Sequence, residues 1–204
     1  MGRSNREQAD KNRQRIVDET AETMRGHGIA AVSISEIMAR VGMTPGGFYN
    51  HFASKDALIA EACSSGFAGS AETWRAKAIS GKGAVTDTLK RLVAHYFARK
   101  PVEKTCLMVA LGQDAAPHHA SESLSRAYRE GVEQLFSTFA DIARTDPSCS
   151  LSREDLVVAF AAMVGANMLA HATGDRNWTT EVERALVTPH SHQASGASKK
   201  RADS

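Results

Sequence analysis

Cysteine is scarce in this 204-residue chain: Cys63, Cys106 and Cys149 are odd in number and far apart. That excludes a disulfide framework, and no C-x-x-C pair supplies the usual thiolate metal spacing. There is no leader with a basic start and an apolar run behind it. The most apolar segment, 151–173, is too short to span a bilayer comfortably. These absences predict a protein of the reducing cytoplasm with no membrane partner. Strand-like alternation and internal repeats are also missing, which leaves a helical reading. Neither an HExxH pattern nor a nucleophile elbow occurs, so no catalytic residue, cofactor or metal is expected, and the chain does not read as an enzyme. Asp114, His118 and His119 are close in sequence. Neighbours on a helix point about 100° apart, however, and rarely converge on one metal ion.

The charge is nearly balanced, with a net of +2, but it is unevenly placed. Within residues 1–15, Arg3, Arg6, Lys11, Arg13 and Arg15 face only Glu7 and Asp10. A basic arm of this kind would contact phosphates. The alternative is a solvated tail.

Apolar residues then recur at helical spacing along the chain. Ile16, Val17, Thr20, Ala21 and Met24 make a stripe on a helix over 7–25, which Gly26-His27-Gly28 ends. A helix capped by Ser54 carries Leu58, Ile59, Cys63 and Phe67, with Trp74 as a further residue to which it could continue. Val85, Leu89, Leu92, Val93, Tyr96 and Phe97 line a helix over 84–100, stopped by Pro101. Short and long helices follow over 106–116 and 121–144, with a break at Asp146-Pro147-Ser148. Between Leu156 and Ala170 only Asn167 is polar, so the helix over 151–173 should be covered on all sides. Thr180 and Glu183 form a capping box for a last helix over 180–187. The expected architecture is all-α, about nine helices. Residues 1–65 form a first helical domain with three helices at its centre, residues 66–187 a second helical domain, and residues 188–204 a small, polar, disordered tail.

The chain is organised around residues 33–52, SISEIMARVGMTPGGFYNHF. Ser33 and Glu36 read as a capping box for a helix over 34–41 with Ile34, Ile37 and Val41 on its apolar face. Gly42 supplies the turn. Thr44 is a good N-cap and Pro45 a good first helical residue for a second helix over 45–52. Phe48 and Phe52 share a buried face. Gly46, Gly47, Tyr49, Asn50 and His51 point elsewhere, and two adjacent glycines cost roughly 1 kcal/mol each against alanine. Close backbone approach to a partner is the natural compensation. A short helix with polar side chains near its N-terminus suits the DNA major groove.

This stretch resembles the helix-turn-helix of the TetR family of bacterial transcriptional regulators. The resemblance rests on Ile37, the Val41-Gly42-Met43-Thr44 turn, Gly47, the run from Phe48 to Phe52, and Ser54-Lys55-Asp56-Ala57-Leu58. It covers about residues 10–65, with Met38 where the family usually places alanine. It implies a DNA-binding surface of Thr44, Pro45, Gly46, Gly47, Tyr49, Asn50, His51 and Lys55. Tyr49, His51 and Lys55 would contact phosphates, Thr44 would cap the helix and bond a phosphate, and Asn50 could reach a base edge. It also implies a homodimer joined through the last two helices, for which Ala159, Ala162, Gly165, Ala166 and Ala170 offer a small-residue surface. A ligand pocket in the second domain is implied too, with Trp74, Tyr96, Phe97, Met108 and Phe136 as candidate wall residues. The expected partners are a palindromic double-stranded operator, a second copy of the chain and an unidentified small molecule that releases a repressor. Activation, redox sensing at Cys106, a metalloenzyme and a helical adaptor without a DNA role are the alternatives.

Overall fold

The computed structural model describes residues 2–80, 88–146 and 149–187, with side chains from residue 6 onward. Within them the chain forms eight α-helices: α1 (Gly2–His27), α2 (Ile34–Arg40), α3 (Lys55–Ile79), α4 (Thr88–Phe97), α5 (Leu107–Leu111), α6 (Glu122–Thr145), α7 (Arg153–Thr173) and α8 (Asn177–Val187). A 3₁₀ helix over Pro45–Asn50 is the ninth expected element, and shorter 3₁₀ turns lie at Ile29–Ala31 and Val102–Lys104. No strand occurs among the described residues. Residues 81–87, which include Val85 and the expected start of the 84–100 helix, Pro147, Ser148 and the expected 188–204 tail fall outside them.

The stripe on α1 is buried as its spacing predicts, and Thr20 satisfies its hydroxyl by donating to the Ile16 carbonyl at 2.7 Å. The helix ends where Gly28 turns to φ 79°, its N–H donating to the Met24 carbonyl at 3.0 Å. α3 is the central rod: Leu58, Ile59, Cys63, Phe67, Ala71 and Trp74 are buried on it, against α1 on one side and α6 on the other. Its Ser54 cap accepts from the Ala57 N–H at 3.0 Å. Where α3 meets α6, Gly131 lies under Phe67 so closely that a Cβ there would sit 2.2 Å from the ring. The apolar core is continuous from Ile16 to Ala166, and α3 runs unbroken through residue 65.

Several local expectations are corrected. The arm is helical from Gly2. Ser33 makes no cap hydrogen bond; its hydroxyl pairs with that of Ser35 at 2.9 Å, so the Ser33/Glu36 box does not form. The second helix of the motif is a 3₁₀ helix of six residues, and Thr44 caps it without a side-chain bond. α4 ends at Phe97, whose carbonyl accepts from Arg176 Nη2 at 2.7 Å. α5 is only five residues long, and turns carry the chain to Ser121. α8 begins at Asn177, where Asp175 Oδ1 accepts the Asn177 N–H at 2.9 Å, and Thr180 bonds back to the Arg176 carbonyl instead of capping. A complete capping box occurs at Ser152 and Asp155, the start of α7.

α7 departs furthest from expectation. It buries one face, through Leu156, Phe160 and Met163, but leaves Val157, Val158, Met168 and Leu169 exposed. By length and composition it would also suffice to cross a membrane, contrary to the reading of it as too short. Here that apolar helix packs on α5, α6 and α8.

Candidate nucleic-acid interface and interior cavity

The 3₁₀ helix stands on two aromatic rings. Phe48 is wholly buried and stacks on Phe52 with centroids 5.5 Å apart. Thr44, Pro45, Gly46, Tyr49 and Asn50 are exposed, while Gly47, His51 and Lys55 are half-buried. Tyr49 packs edge-on to Phe48 at 5.1 Å but keeps 70% of its surface in solvent. A buried aromatic base with a polar, water-facing rim is an arrangement that presents donors and acceptors outward without moving them. The turn before it needs Gly42, at φ 74°. A Cβ on Gly46 would meet nothing within 4 Å, whereas one on Gly47 would lie 3.7 Å from Met38 Cε. The long Met38 side chain therefore fits the helix crossing because a glycine faces it. Gly46 has no packing reason to lack a side chain.

Two arginines assigned to the phosphate-contacting arm have structural work instead. Arg13 donates to the His51 carbonyl, pairs with Glu61 through Nε at 3.0 Å, and lies over the Phe52 ring at 4.1 Å. Arg15 donates to the Val41 carbonyl at 2.7 Å. Both carbonyls lie at ends of the motif's helices, where partners are otherwise lacking. Arg13 lies one helical turn before Ile16 and Val17, in line with the α1 stripe, and that position was the available sign that it faces the protein; Arg15 stays exposed although it bonds the Val41 carbonyl. Arg6 and Lys11 remain exposed.

A cavity of about 870 Å³ opens between α1, α3, α4, the 3₁₀ turn after Pro101, and α7. Trp74, Tyr96 and Phe97 line it, as expected; Tyr96 lies edge-on to both, at 5.7 and 5.3 Å. Met108 and Phe136 do not. Met108 is core, its carbonyl accepting the Tyr128 hydroxyl at 2.7 Å, and Phe136 packs on Phe160 at 5.4 Å. The sequence reading missed the polar wall: Arg25 from α1, His95 near the end of α4, Lys100 in the segment after it, Cys106, and Asn167 from α7. These lie on separate elements, so no spacing along the chain joins them. Arg25 Nη2 donates to the Gly66 carbonyl at 2.9 Å, and the Tyr96 hydroxyl donates to Cys106 Sγ at 3.3 Å. Burial lowers the Arg25 pKa, offset in part by Cys106 and Glu22. Burial raises that of Tyr96, with Cys106 adding to the shift.

The small residues chosen for self-association divide. Ala159 and Ala166 are buried within the chain and Ala170 lines the cavity, while Ala162 and Gly165 are half-buried. The exposed face of α7 is carried instead by Val157, Val158, Ala161, Met168 and Leu169, at i, i+3/i+4, i+7 spacing, with Trp178 of α8 also exposed. Burial, which composition alone does not reveal, decides which side of an all-apolar helix is free. The Asp114, His118, His119 trio does not converge: Asp114 accepts the Ile29 N–H at 3.2 Å, tying the second half of the chain to the turn before α2. Among the described residues no group of three potential ligands surrounds a common point.

Residues 16–62 match the model of the bacterial regulatory proteins of the TetR family, the segment from the α1 stripe through the motif into α3. No curated protein matches the chain. Among solved structures, the reduced form of Escherichia coli NemR is similar at 20% identity and a TM-score of 0.73, over 87% of this chain and 95% of that one. A TetR transcriptional regulator from Legionella pneumophila gives 16% and 0.69, over 84% and 93%. The multidrug binding protein EbrR, complexed with proflavin, gives 21% and 0.58, over 86% and 97%. At these identities the structures speak for the fold, and the family match speaks for the reading head. Residues 16–62, the reading head, are thus similar to the bacterial regulatory proteins of the TetR family, and the chain has the fold of solved TetR-family regulators.

Proposed function

We propose that this chain is a DNA-binding transcriptional regulator of the TetR family, a cytoplasmic, homodimeric repressor that a small molecule releases from a palindromic operator. The observation that carries the reading is the sharing of α1. Arg13 on that helix holds the end of the reading head, and Arg25 on the same helix forms part of the cavity wall. A ligand in the cavity therefore touches the element that supports the reading head. It acts by binding the operator-competent and released arrangements with different affinity. Tyr49, His51 and Lys55 contact phosphates and Asn50 reaches a base edge, with Thr44, Pro45, Gly46 and Gly47 bringing the backbone close. The exposed face of α7 with Trp178 pairs with its copy in a partner chain, giving a four-helix bundle and setting the two heads about 34–36 Å apart, one turn of B-DNA.

The test is binding of the purified protein to DNA flanking its own gene at fixed salt, with Tyr49→Ala plus Asn50→Ala as control. Selective binding that the double variant loses is expected. Equal binding by both would remove the reading head from its role. Sedimentation of Val158→Asp should give a folded monomer where the parent chain gives a dimer, and a monomeric parent would sink the dimer. Activation instead of repression would show as reduced transcription from the bound promoter when the gene is deleted.

A second reading is oxidation sensing at Cys106, favoured by the Tyr96 hydroxyl on its sulfur and by the nearness of Arg25 and Lys100. Cys63 is no rival, since burial pushes its thiol up to about 12. The discriminating result is loss of operator binding after hydroperoxide treatment that Cys106→Ser abolishes.

A further inference from the structure

The cavity is far more basic than the chain. Net charge over the whole sequence is +2, yet Arg25, Arg99, Lys100, Lys104 and Arg176 all border this one space. Only two carboxylates face them, Asp18 and Glu22. Glu22 pairs with Lys104 at the mouth, and Asp18 is exposed and accepts from Gln14 on its own helix at 2.8 Å. Arg99 and Arg176 are exposed, and Arg176 donates to the Phe97 carbonyl.

Arg25 and Lys100 differ from these. Both are half-buried, and among the described residues neither has a carboxylate at ion-pair distance. Arg25 directs Nη2 to the Gly66 carbonyl at 2.9 Å and Ser70 Oγ at 3.3 Å, and its buried Nε has no partner. Lys100 Nζ lies 3.5 Å from His95 Nε2. Burial lowers the Lys100 pKa, with Arg25 adding and Cys106 opposing. Burial likewise lowers that of His95, helped by Lys100 and Lys77. Like charges drawn partly out of water without a carboxylate in ion-pair contact are costly to the fold alone, and an anion between them relieves both desolvation and repulsion. Trp74 and Tyr96 supply an aromatic wall in the same space, so a purely hydrophilic ion would leave that wall unused.

We infer that the cavity takes an aromatic carboxylate, its anionic end between Arg25 and Lys100 and its ring system against Trp74 and Tyr96. This rests on the cavity being the effector site proposed above. An arginine fork holds a carboxylate by two hydrogen bonds where a lysine supplies a point charge, so the pair fixes position as well as sign.

The experiment is calorimetric titration of the full chain with 2-naphthoate, 2-naphthamide and 2-naphthamidine at one salt concentration, one ring system carrying negative, neutral and positive groups. Tightest binding of the carboxylate and weakest of the amidine is expected. Lys100→Gln should weaken the carboxylate roughly tenfold, as loss of one charge-assisted hydrogen bond does. It should leave the amide unchanged, and Arg129→Gln on the exposed side of α6 should change neither. Arg25→Gln should act like Lys100→Gln, provided that its melting temperature shows it folded. An amidine that binds as well as the carboxylate, a carboxylate indifferent to Lys100, or no binding of any of the three at millimolar concentration overturns the inference. Operator release is measured separately. A carboxylate that binds as described but leaves the operator complex intact sustains the anion site and refutes the effector role, whereas an overturned anion site with operator binding intact leaves that role standing.

Discussion

The reading head and the cavity region solve opposite packing problems with the same kind of helix. Around Phe48 the chain is closed: Ile16, Met24, Ile37, Met38, Phe48 and Leu58 are all essentially without solvent contact. Around Trp74 it leaves about 870 Å³ open and places half-buried cations in the wall. The closed region can therefore hold a surface fixed, and the open one can accept an occupant. Local sequence is also more tightly dictated in the first, because a close-packed interior registers each methylene.

The sharpest way to break that contrast is to remove one ring from each region. Phe48→Ala should cost about 3–5 kcal/mol in urea unfolding, as a large-to-small change in a closed core does. Phe97→Ala, which enlarges a space already open, should cost about 2 kcal/mol or less. Equal losses would mean that the cavity wall is as tightly supported as the head. Next in size is Gly131→Ala, whose Cβ would enter the Phe67 ring. Overpacking of this kind costs about 1–3 kcal/mol, and Phe67→Leu should recover part of it in a double-mutant cycle. The smallest expected effect has opposite signs in two assays. Gly46→Ala, with open space at its Cβ, should stabilise the chain by a few tenths of a kcal/mol up to about 1, from propensity, while weakening operator binding. A variant that gains stability and loses no affinity would show that the backbone at Gly46 is not approached by DNA.

The same contrast explains what could be read from the chain. The head is written in consecutive residues: a turn glycine, a proline at the first helical position, and two phenylalanines four apart. Its location was therefore legible, even though its second helix proved to be 3₁₀ and its Ser33 cap absent. The intramolecular bonds of Arg13 and Arg15 were not legible, because charge alone does not say whether a cation also reaches a helix end. The cavity is assembled from α1, α3, α4 and α7, so pattern could name its aromatics but not Arg25, Lys100 or Asn167. α7 shows the limit most plainly. Its composition says that it is apolar all round, and only its neighbours decide that Ala159 and Ala166 go inward while Val158 and Met168 stay out.

α1 carries Arg13 and Arg25 on one unbroken helix, twelve residues and so about 18 Å apart. A straight helix transmits a push along its axis with little loss, but it transmits in both directions. If an occupant near Arg25 loosens the grip on an operator by some factor, the operator must loosen the grip on that occupant by the same factor. A promoter fragment would then act as a competitor of the effector without ever entering the cavity. The regulator's sensitivity to its signal would be set partly by how many binding sites the genome holds, since each occupied site withdraws one receptor from the pool that binds readily.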